Sequence, residues 1–65
     1  MIASSMEEIL THVFSDAILG RTFSVILLQH NLAGSLFDEV SRMFPDCTCQ
    51  MTFQNENFLM KIFWN

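Results

Sequence analysis

Two cysteines separated by one residue, Cys47 and Cys49, are the side chains of this sequence best suited to metal or redox chemistry. On a β-strand both thiols would point to one side, about 7 Å apart, where they could bind a soft ion such as Cu(I) or Zn²⁺ as thiolates. A structural zinc site needs four ligands, and only His12 and His30 remain to complete one. Because cysteine is among the most frequently buried residue types, we expect both side chains to pack in the core, without metal or cofactor.

The surroundings of His12 suggest a second possible site. His12 stands four residues after Glu8 and four before Asp16, so on a helix the three side chains share one face. An imidazole between carboxylates could titrate near neutral pH or bind a metal. A solvated helix face with favourable side-chain pairs explains the same pattern, and we expect Glu8, His12 and Asp16 to form an acidic rim. His30 is expected to make a turn contact.

No arrangement of side chains indicates an enzyme. The serines have no nucleophile motif around them, and there is no glycine-rich phosphate loop. Carboxylates cluster at Glu7-Glu8, in an expected first helical turn, and at Asp38-Glu39, in an expected mid-helix position. Neither pair is presented from two different elements in a way that suggests acid–base catalysis. The sequence therefore predicts no catalytic residues.

Length and composition favour association with other proteins. We expect residues 1–65 to form a single domain with a marginal core, because so short a chain buries little surface. The sequence is 51% hydrophobic, with seven Phe and five Met, which is more than a small interior can hide. Its seven acids outnumber its three bases, so neither nucleic acid nor an anionic membrane is an expected partner. No secretory signal or membrane-length apolar run is visible, and we expect a cytoplasmic location.

Hydrophobic spacing and turn residues predict five elements. Ser4 or Ser5 begins the first helix, Gly20 ends it, and Asn31 caps the second helix. We expect one side of the first helix to be a single buried stripe. The stripe contains Met6, Ile9, Leu10, Val13, Phe14, Ala17 and Ile18. The predicted elements are a helix over 5–19, a strand over 21–30, a helix over 32–44, and strands over 47–54 and 58–64.

The last two strands are expected to form a hairpin with a fixed register. Alternation of apolar and polar residues from Cys47 to Gln54 indicates a half-buried strand. With Asn55-Glu56 as a two-residue loop, every inward residue faces another inward residue. The expected pairs are Phe53 with Phe58, Met51 with Met60, Cys49 with Ile62, and Cys47 with Trp64.

These elements predict an α+β fold, a small two-layer sandwich of order α-β-α-β-β. Because the last strand is apolar on both faces, we place it in the centre of a three-stranded antiparallel sheet with strand order 1-3-2. Both helices are expected on one face. As an alternative, the first helix covers the other face.

The open face of this sheet is the predicted interface. We expect Phe23, Val25 and Leu27 to face the helices, which leaves an apolar patch on the opposite side. The predicted interface residues are Ile26, Leu28, Leu59, Lys61 and Phe63. The edges of the first and second strands are also expected to be free for pairing.

The sequence therefore favours a small acidic protein-interaction module. We expect a homodimer, or a stoichiometric inhibitor or adaptor of an unidentified protein, of a kind that viruses also encode. Binding would use the apolar sheet face or a strand edge. The alternative is a small metal-binding or redox protein that uses the two cysteines.

Overall fold

The computed structural model describes residues 2–64 and contains two helices and four strands. A single 3₁₀ turn precedes the second helix. The elements are β1 (Ile2–Ala3), α1 (Met6–Ile18), β2 (Phe23–Leu28), the 3₁₀ turn (His30–Leu32), α2 (Ala33–Met43), β3 (Thr48–Gln54) and β4 (Asn57–Phe63). The α+β class is confirmed, but the sheet has one more strand than the sequence predicts.

Both ends of α1 follow from local sequence, as predicted. At its start, the Ser5 hydroxyl accepts a hydrogen bond from the backbone N–H of Glu8, which satisfies one of the free donors of the first turn. At its end, Gly20 adopts φ +83° and its N–H donates to the carbonyl of Ala17. The N–H of Arg21 donates to the carbonyl of Asp16, which completes a Schellman motif.

The start of α2 differs from its prediction. Asn31 lies inside the 3₁₀ turn, and the N-cap position belongs to Leu32, whose side chain makes no capping hydrogen bond. The side-chain oxygen of Asn31 accepts a hydrogen bond from Gln29 instead. The prediction of Asn31 as N-cap is therefore wrong, because the chain enters the helix through one extra tight turn.

The β3–β4 hairpin has the predicted register. Asn55 and Glu56 both have positive φ, 50° and 63°. A type I′ turn, which is common in two-residue hairpins, requires positive φ at both of these positions. The predicted pairs of strand residues, Phe53 with Phe58, Met51 with Met60 and Cys49 with Ile62, are all present. Cys47 precedes the first paired residue of β3, so the fourth predicted pair is not part of the ladder.

The strands form one mixed sheet of order β1-β2-β4-β3. The three predicted strands keep their predicted order, with β4 in the centre and antiparallel to β2 and β3. The additional strand β1 pairs in parallel with Leu27 and Leu28 of β2. This corrects the prediction of a free edge on the first predicted strand, because β1 covers part of it. A two-residue strand is too short to leave a periodic signal.

Both helices pack on the same side of the sheet. A single buried cluster contains residues of α1, of α2 and of alternate positions along the strands. It comprises Ala3, Ile9, Val13, Ile26, Leu28, Ala33, Leu36, Val40, Met60 and Ile62. The predicted arrangement of the helices is therefore correct, and the alternative with α1 on the opposite face is wrong.

The predicted orientation of β2 is wrong. Ile26 and Leu28 are only 2% and 3% exposed and belong to the core, while Phe23 and Val25 are exposed on the other side. Residues paired directly across strands share a face, and Ile26 is opposite the buried Met60. Because β2 is apolar on both faces, its sequence pattern alone does not fix which face is inward.

The predicted stripe of α1 is also only partly buried. Ile9 and Val13 are in the core, whereas Phe14 and Ile18 are exposed.

Neither α1 nor α2 has the length and apolar character that a membrane-spanning helix requires, and residues 2–64 contain no other α-helix.

Candidate interaction surfaces

The side of the sheet that faces away from the helices carries an apolar patch, which we call the sheet face. Cross-strand pairing arranges its side chains in three rows. The rows are Ile2–Leu27–Leu59–Thr52, then Val25–Lys61–Gln50, then Phe23–Phe63–Thr48. The β1, β2 and β4 side of each row is mainly apolar and the β3 side is polar, so the patch has a defined polar border.

Several apolar side chains of the sheet face remain accessible. Ile2, Phe23, Val25 and Phe63 are all exposed, and Leu27 and Leu59 are half-buried. The rings of Phe23 and Phe63 lie side by side with their centroids 6.1 Å apart. A contiguous apolar surface of this kind on a small protein commonly marks an interface.

Lys61 gives the sheet face its charge. It lies in the middle row, directly opposite Val25 of β2 and Gln50 of β3. Among the described strand residues on this face, it is the only charged one. The apolar patch therefore carries one positive charge next to its polar border, on a chain whose net charge is −4.

Three of the five predicted interface residues lie on the sheet face in the structure. Leu59, Lys61 and Phe63 of β4 lie on the sheet face, but Ile26 and Leu28 lie in the core. On β2, the side chains that lie on the sheet face are those of Phe23, Val25 and Leu27. The missed residues are Ile2, Phe23, Val25 and Leu27. The hairpin register already predicts that Met60 faces inward. Pairing Met60 with Ile26 would therefore have placed Ile26 inward and Phe23, Val25 and Leu27 on the sheet face.

The predicted acidic rim is not a uniform exposed surface, because Asp16 is only 5% exposed. The Ser24 hydroxyl donates a hydrogen bond to Oδ2 of Asp16 at 2.5 Å, and Arg21 Nη1 donates to Oδ1 at 2.6 Å. Nε2 of His12 lies 3.4 Å from Oδ2. The prediction of Asp16 on a solvated face is wrong, because it pairs with the buried Ser24 and so joins α1 to β2.

These contacts shift the titration of two carboxyls. The Ser24 hydroxyl and then the Arg21 guanidinium hold the pKa of Asp16 below its usual value, against the effect of burial. At the start of α1, Glu8 Oε1 accepts hydrogen bonds from the backbone N–H and hydroxyl of Ser4, and these lower the pKa of Glu8. Both acids therefore have structural roles within the chain.

A second apolar surface lies on α1, which we call the α1 ridge. Its residues are Leu10, Phe14, Ala17 and Ile18. Phe14 is 56% exposed and Ile18 is 85% exposed, although both are large hydrophobic residues. Beside the ridge is a cleft of about 230 Å³ with an entirely apolar lining. It is lined by Val13, Phe14, Ala17, Phe44, Cys47, Ile62 and Trp64.

The sequence does contain a signal for this second surface. The apolar positions of α1 cover about half of the helix circumference, whereas packing on a core needs a stripe of roughly 100°. The core uses the part of this arc that contains Ile9 and Val13. The remainder, with Phe14 and Ile18, is left for another contact.

The two cysteines pack against the core rather than forming a site with other ligands. Cys47 and Cys49 are free and half-buried, and burial raises the pKa of the Cys49 thiol. Within residues 2–64, no group of three or more His, Cys, Asp or Glu side chains is placed to hold a metal ion. His30 begins the 3₁₀ turn, and its ring lies 5.0 Å from that of Phe58 and 5.9 Å from that of Phe53.

The structure thus has two separate apolar surfaces, one on the sheet and one on α1. The sheet face combines apolar side chains with one lysine, and the α1 ridge adjoins an apolar cleft. Comparison of the chain with protein-family models, with curated proteins and with solved structures found no significant match.

Proposed function

We propose that this protein is an interaction module that binds another protein through its sheet face, as an adaptor or stoichiometric inhibitor. The observation that carries the proposal is the row pattern of the sheet face, in which accessible apolar side chains of β1, β2 and β4 form one patch and Lys61 lies where this patch meets the polar side chains of β3. Interface cores are typically apolar and rich in aromatic residues, with a polar rim. The Phe23–Phe63 pair and the Thr and Gln border of β3 match that anatomy.

The charge of the sheet face narrows the chemistry of the partner. Lys61 would lose water when the face is covered, and a buried ammonium requires a compensating partner. A partner surface that is apolar and carries one carboxylate opposite Lys61 meets this need. A second copy packed face to face across a two-fold axis through the middle row would instead bring two Lys61 side chains together. We therefore favour a different protein as the occupant of the sheet face.

The test is affinity capture from the native host with wild-type protein and two matched variants. Val25→Glu places a charge in the middle row of the patch, and Thr52→Glu places the same charge on the polar border of the same face. We expect the captured partner to be lost with Val25→Glu and retained with Thr52→Glu. Circular dichroism and thermal unfolding check that both variants remain folded.

Lys61 provides a second comparison once the partner is captured. Replacing Lys61 with Gln should weaken the complex by about 2 kcal/mol or more, roughly 30-fold in Kd, because a partner carboxylate would be left buried without its counter-charge. Isothermal titration at two salt concentrations measures this change. Equal affinities of wild type and Lys61→Gln would remove the carboxylate from the proposal. In the capture experiment, equal loss of the partner with Val25→Glu and Thr52→Glu would contradict binding by the apolar rows.

The metal or redox alternative has less support. Metal binding and redox reactions of cysteine both use the thiolate. Burial raises the pKa of the Cys49 thiol, so the fold makes this thiolate harder to form than that of a free cysteine. No observation on Cys47 or on the histidines favours this second function over protein binding.

A further inference from the structure

The outer edge of β3 is a binding surface of a different kind, because it offers backbone hydrogen bonds. β3 lies at one end of the sheet and pairs with β4, while β1 lies at the other end. Within residues 2–64, no strand pairs with the side of β3 that faces away from β4. A free strand edge of this kind is a template for pairing with another strand.

The hairpin register shows which residues direct their backbone groups to this edge. Gln54 and Asn57 flank the two-residue turn, so the carbonyl of Gln54 accepts a hydrogen bond from the N–H of Asn57 and the two form a hydrogen-bonded pair. Hydrogen-bonded and non-hydrogen-bonded pairs alternate along an antiparallel ladder. The residues of β3 whose N–H and C=O groups point away from β4 are therefore Cys49, Met51 and Phe53.

β3 lacks the features that usually protect a strand edge. Exposed edge strands are typically short, or carry lysine, proline or a bulge that prevents pairing. β3 has seven residues, Thr48–Gln54, none of which is charged or a proline. Its register with β4 is continuous, one residue opposite one, so the strand has no bulge. The edge of β3 can therefore accept another strand along its full length, whereas β1 has only two residues.

The outward backbone groups have the same spacing when β3 is read from either end. Met51 is the central residue of the strand, and Cys49 and Phe53 lie two residues on either side of it. A second β3, placed antiparallel about a two-fold axis at Met51, pairs Met51 with the partner's Met51 and Cys49 with the partner's Phe53. Each of these pairs exchanges two hydrogen bonds. A shift of register would leave at least one outward residue without its counterpart.

The side chains match in the same register. On the helix side of the sheet, the half-buried Cys49 and Met51 and the exposed Phe53 would meet their counterparts across the axis. On the sheet face, Gln50 would lie opposite the partner's Thr52, so that polar residues meet polar ones. A strand that suits this edge needs apolar and uncharged polar residues in alternation. β3 has this pattern, so a second copy of the chain fits the edge.

Two copies of this acidic chain can pair at β3 without burying a charge, because the strand has none. The exposed acids Asp46 and Glu56 lie just beyond its two ends. In the antiparallel pair, the Asp46 end of one copy adjoins the partner's Glu56. Salt screens repulsion between exposed charges, so the dimer should become tighter as the salt concentration rises.

We propose that two copies of this chain dimerise by antiparallel pairing of their β3 strands about Met51, which joins the four strands of each copy into one continuous sheet. The two-fold axis is perpendicular to the sheet, so the helices of both copies lie on one side and both sheet faces lie on the other. Because the sheet faces stay free, this dimer does not depend on the function proposed above. It would present two partner-binding surfaces side by side.

The first test is the mass of the purified protein, measured by analytical ultracentrifugation over a range of protein and salt concentrations. We expect wild type to have twice the mass of one chain at high concentration. Amide hydrogen exchange, followed by NMR, then identifies the surface that pairs. The N–H groups of Cys49, Met51 and Phe53 should become protected only as the dimer forms. Those of Gln50 and Thr52, which face β4, should be protected at every concentration.

The matched variants Phe53→Pro and Phe53→Ala separate the backbone hydrogen bond from the side chain. Both remove the exposed ring, but only proline removes the N–H that donates across the axis. Since that N–H points away from β4, proline leaves the hairpin ladder intact, and circular dichroism checks the fold. We expect Phe53→Pro to weaken the dimer about 30-fold more than Phe53→Ala, because two hydrogen bonds are lost in each dimer.

Disulfide cross-linking tests the register without relying on loss of binding. A mixture of the Gln50→Cys and Thr52→Cys proteins should form a covalent dimer on mild oxidation, and peptide mapping should find the two new cysteines joined. Neither protein alone should cross-link through its new cysteine, because position 50 lies opposite position 52 of the other copy. A mixture of Gln50→Cys with Thr48→Cys is the control, since these positions would be about 13 Å apart along the strands.

Each of four outcomes would overturn the dimer. They are wild-type protein that stays monomeric at high concentration, a dimer in which Cys49, Met51 and Phe53 gain no protection, equal dimerisation of Phe53→Pro and Phe53→Ala, and cross-linking in the control mixture but not in the first. A monomer would leave the β3 edge to a strand of another protein. None of these results affects the capture experiment with Val25→Glu, so the two proposals fail separately.

Discussion

At the scale of single residues, Asp16 shows how one polar contact can select the orientation of a strand. Ser24 is almost fully buried and donates its hydroxyl to Asp16. A buried hydroxyl without a partner would destabilise the fold, so this hydrogen bond makes the inward position of Ser24 acceptable. Ile26 and Leu28 then face inward with it, since alternate residues of a strand share a face.

The lowered pKa of Asp16 predicts a loss of stability in acid. The stability gained from ionised Asp16 is complete above the pKa of an unfolded aspartate, about 3.9, and is lost as the pH falls through the lower folded pKa. We therefore expect the free energy of unfolding of wild type to fall more steeply below about pH 5 than that of Asp16→Asn. Urea denaturation at a series of pH values measures both slopes.

Ser24→Ala is the intermediate control for this prediction. It removes the largest cause of the pKa shift and leaves the Arg21 contact, so its acid slope should lie between those of wild type and Asp16→Asn. Near neutral pH it should lower the free energy of unfolding by about 1–3 kcal/mol. Parallel pH profiles for all three proteins would mean that the Asp16 contacts do not stabilise the fold.

At the scale of the elements, the two glycines illustrate opposite backbone requirements. Gly20 ends α1 with φ +83°, where an L-residue is strained, whereas Gly34 lies inside α2. A Cβ added at either glycine would have no other atom within 4 Å. The effect of alanine at each position is therefore set by backbone conformation and not by packing.

The same substitution should therefore change stability in opposite directions. Gly20→Ala should lower the free energy of unfolding by about 1–2 kcal/mol, because alanine resists the left-handed conformation. Gly34→Ala should raise it by up to about 1 kcal/mol, because alanine loses less backbone entropy in a helix. Chemical denaturation of the two variants beside wild type measures the difference, and a change of the same sign in both would contradict this account.

The helices and the hairpin were also the elements best predicted from sequence. Ser5, Gly20 and the Asn55-Glu56 turn act on residues close to them in the chain, so their effects are visible in local sequence. The start of α2 was predicted less well, because Asn31 suits both a helix cap and the tight turn it occupies. The two-residue β1 was missed, since its existence depends on pairing with distant Leu27 and Leu28.

At the scale of the whole molecule, stability depends on a small core built on β4. Met60 is fully buried and lies on the central strand between Ile26 and Met51, the residues paired with it on either side. A chain of this size has few other buried large side chains to compensate for a cavity. Its whole stability is expected to be only several kcal/mol.

Met60→Ala should therefore be severely destabilising, by about 2–5 kcal/mol. Met51→Ala is the matched control, because Met51 is directly opposite Met60 but is half-buried on the edge strand. We expect it to cost less than half as much, since its surroundings are already partly solvated. Urea denaturation of both variants gives the comparison, and equal losses would show that the core does not centre on β4.

Sequence by itself determined the local elements of this protein: both helices, the hairpin register through Asn55-Glu56, and an apolar content too large for one small core. It also placed Leu59, Lys61 and Phe63 on the open side of the sheet. Only the tertiary structure decided which face of β2 is inward and how α1 is rotated on the core. Both elements have apolar residues on more sides than one, so periodicity leaves their orientation open. Contacts between distant residues, above all the Asp16–Ser24 hydrogen bond and the pairing of β2 with β4, resolve it.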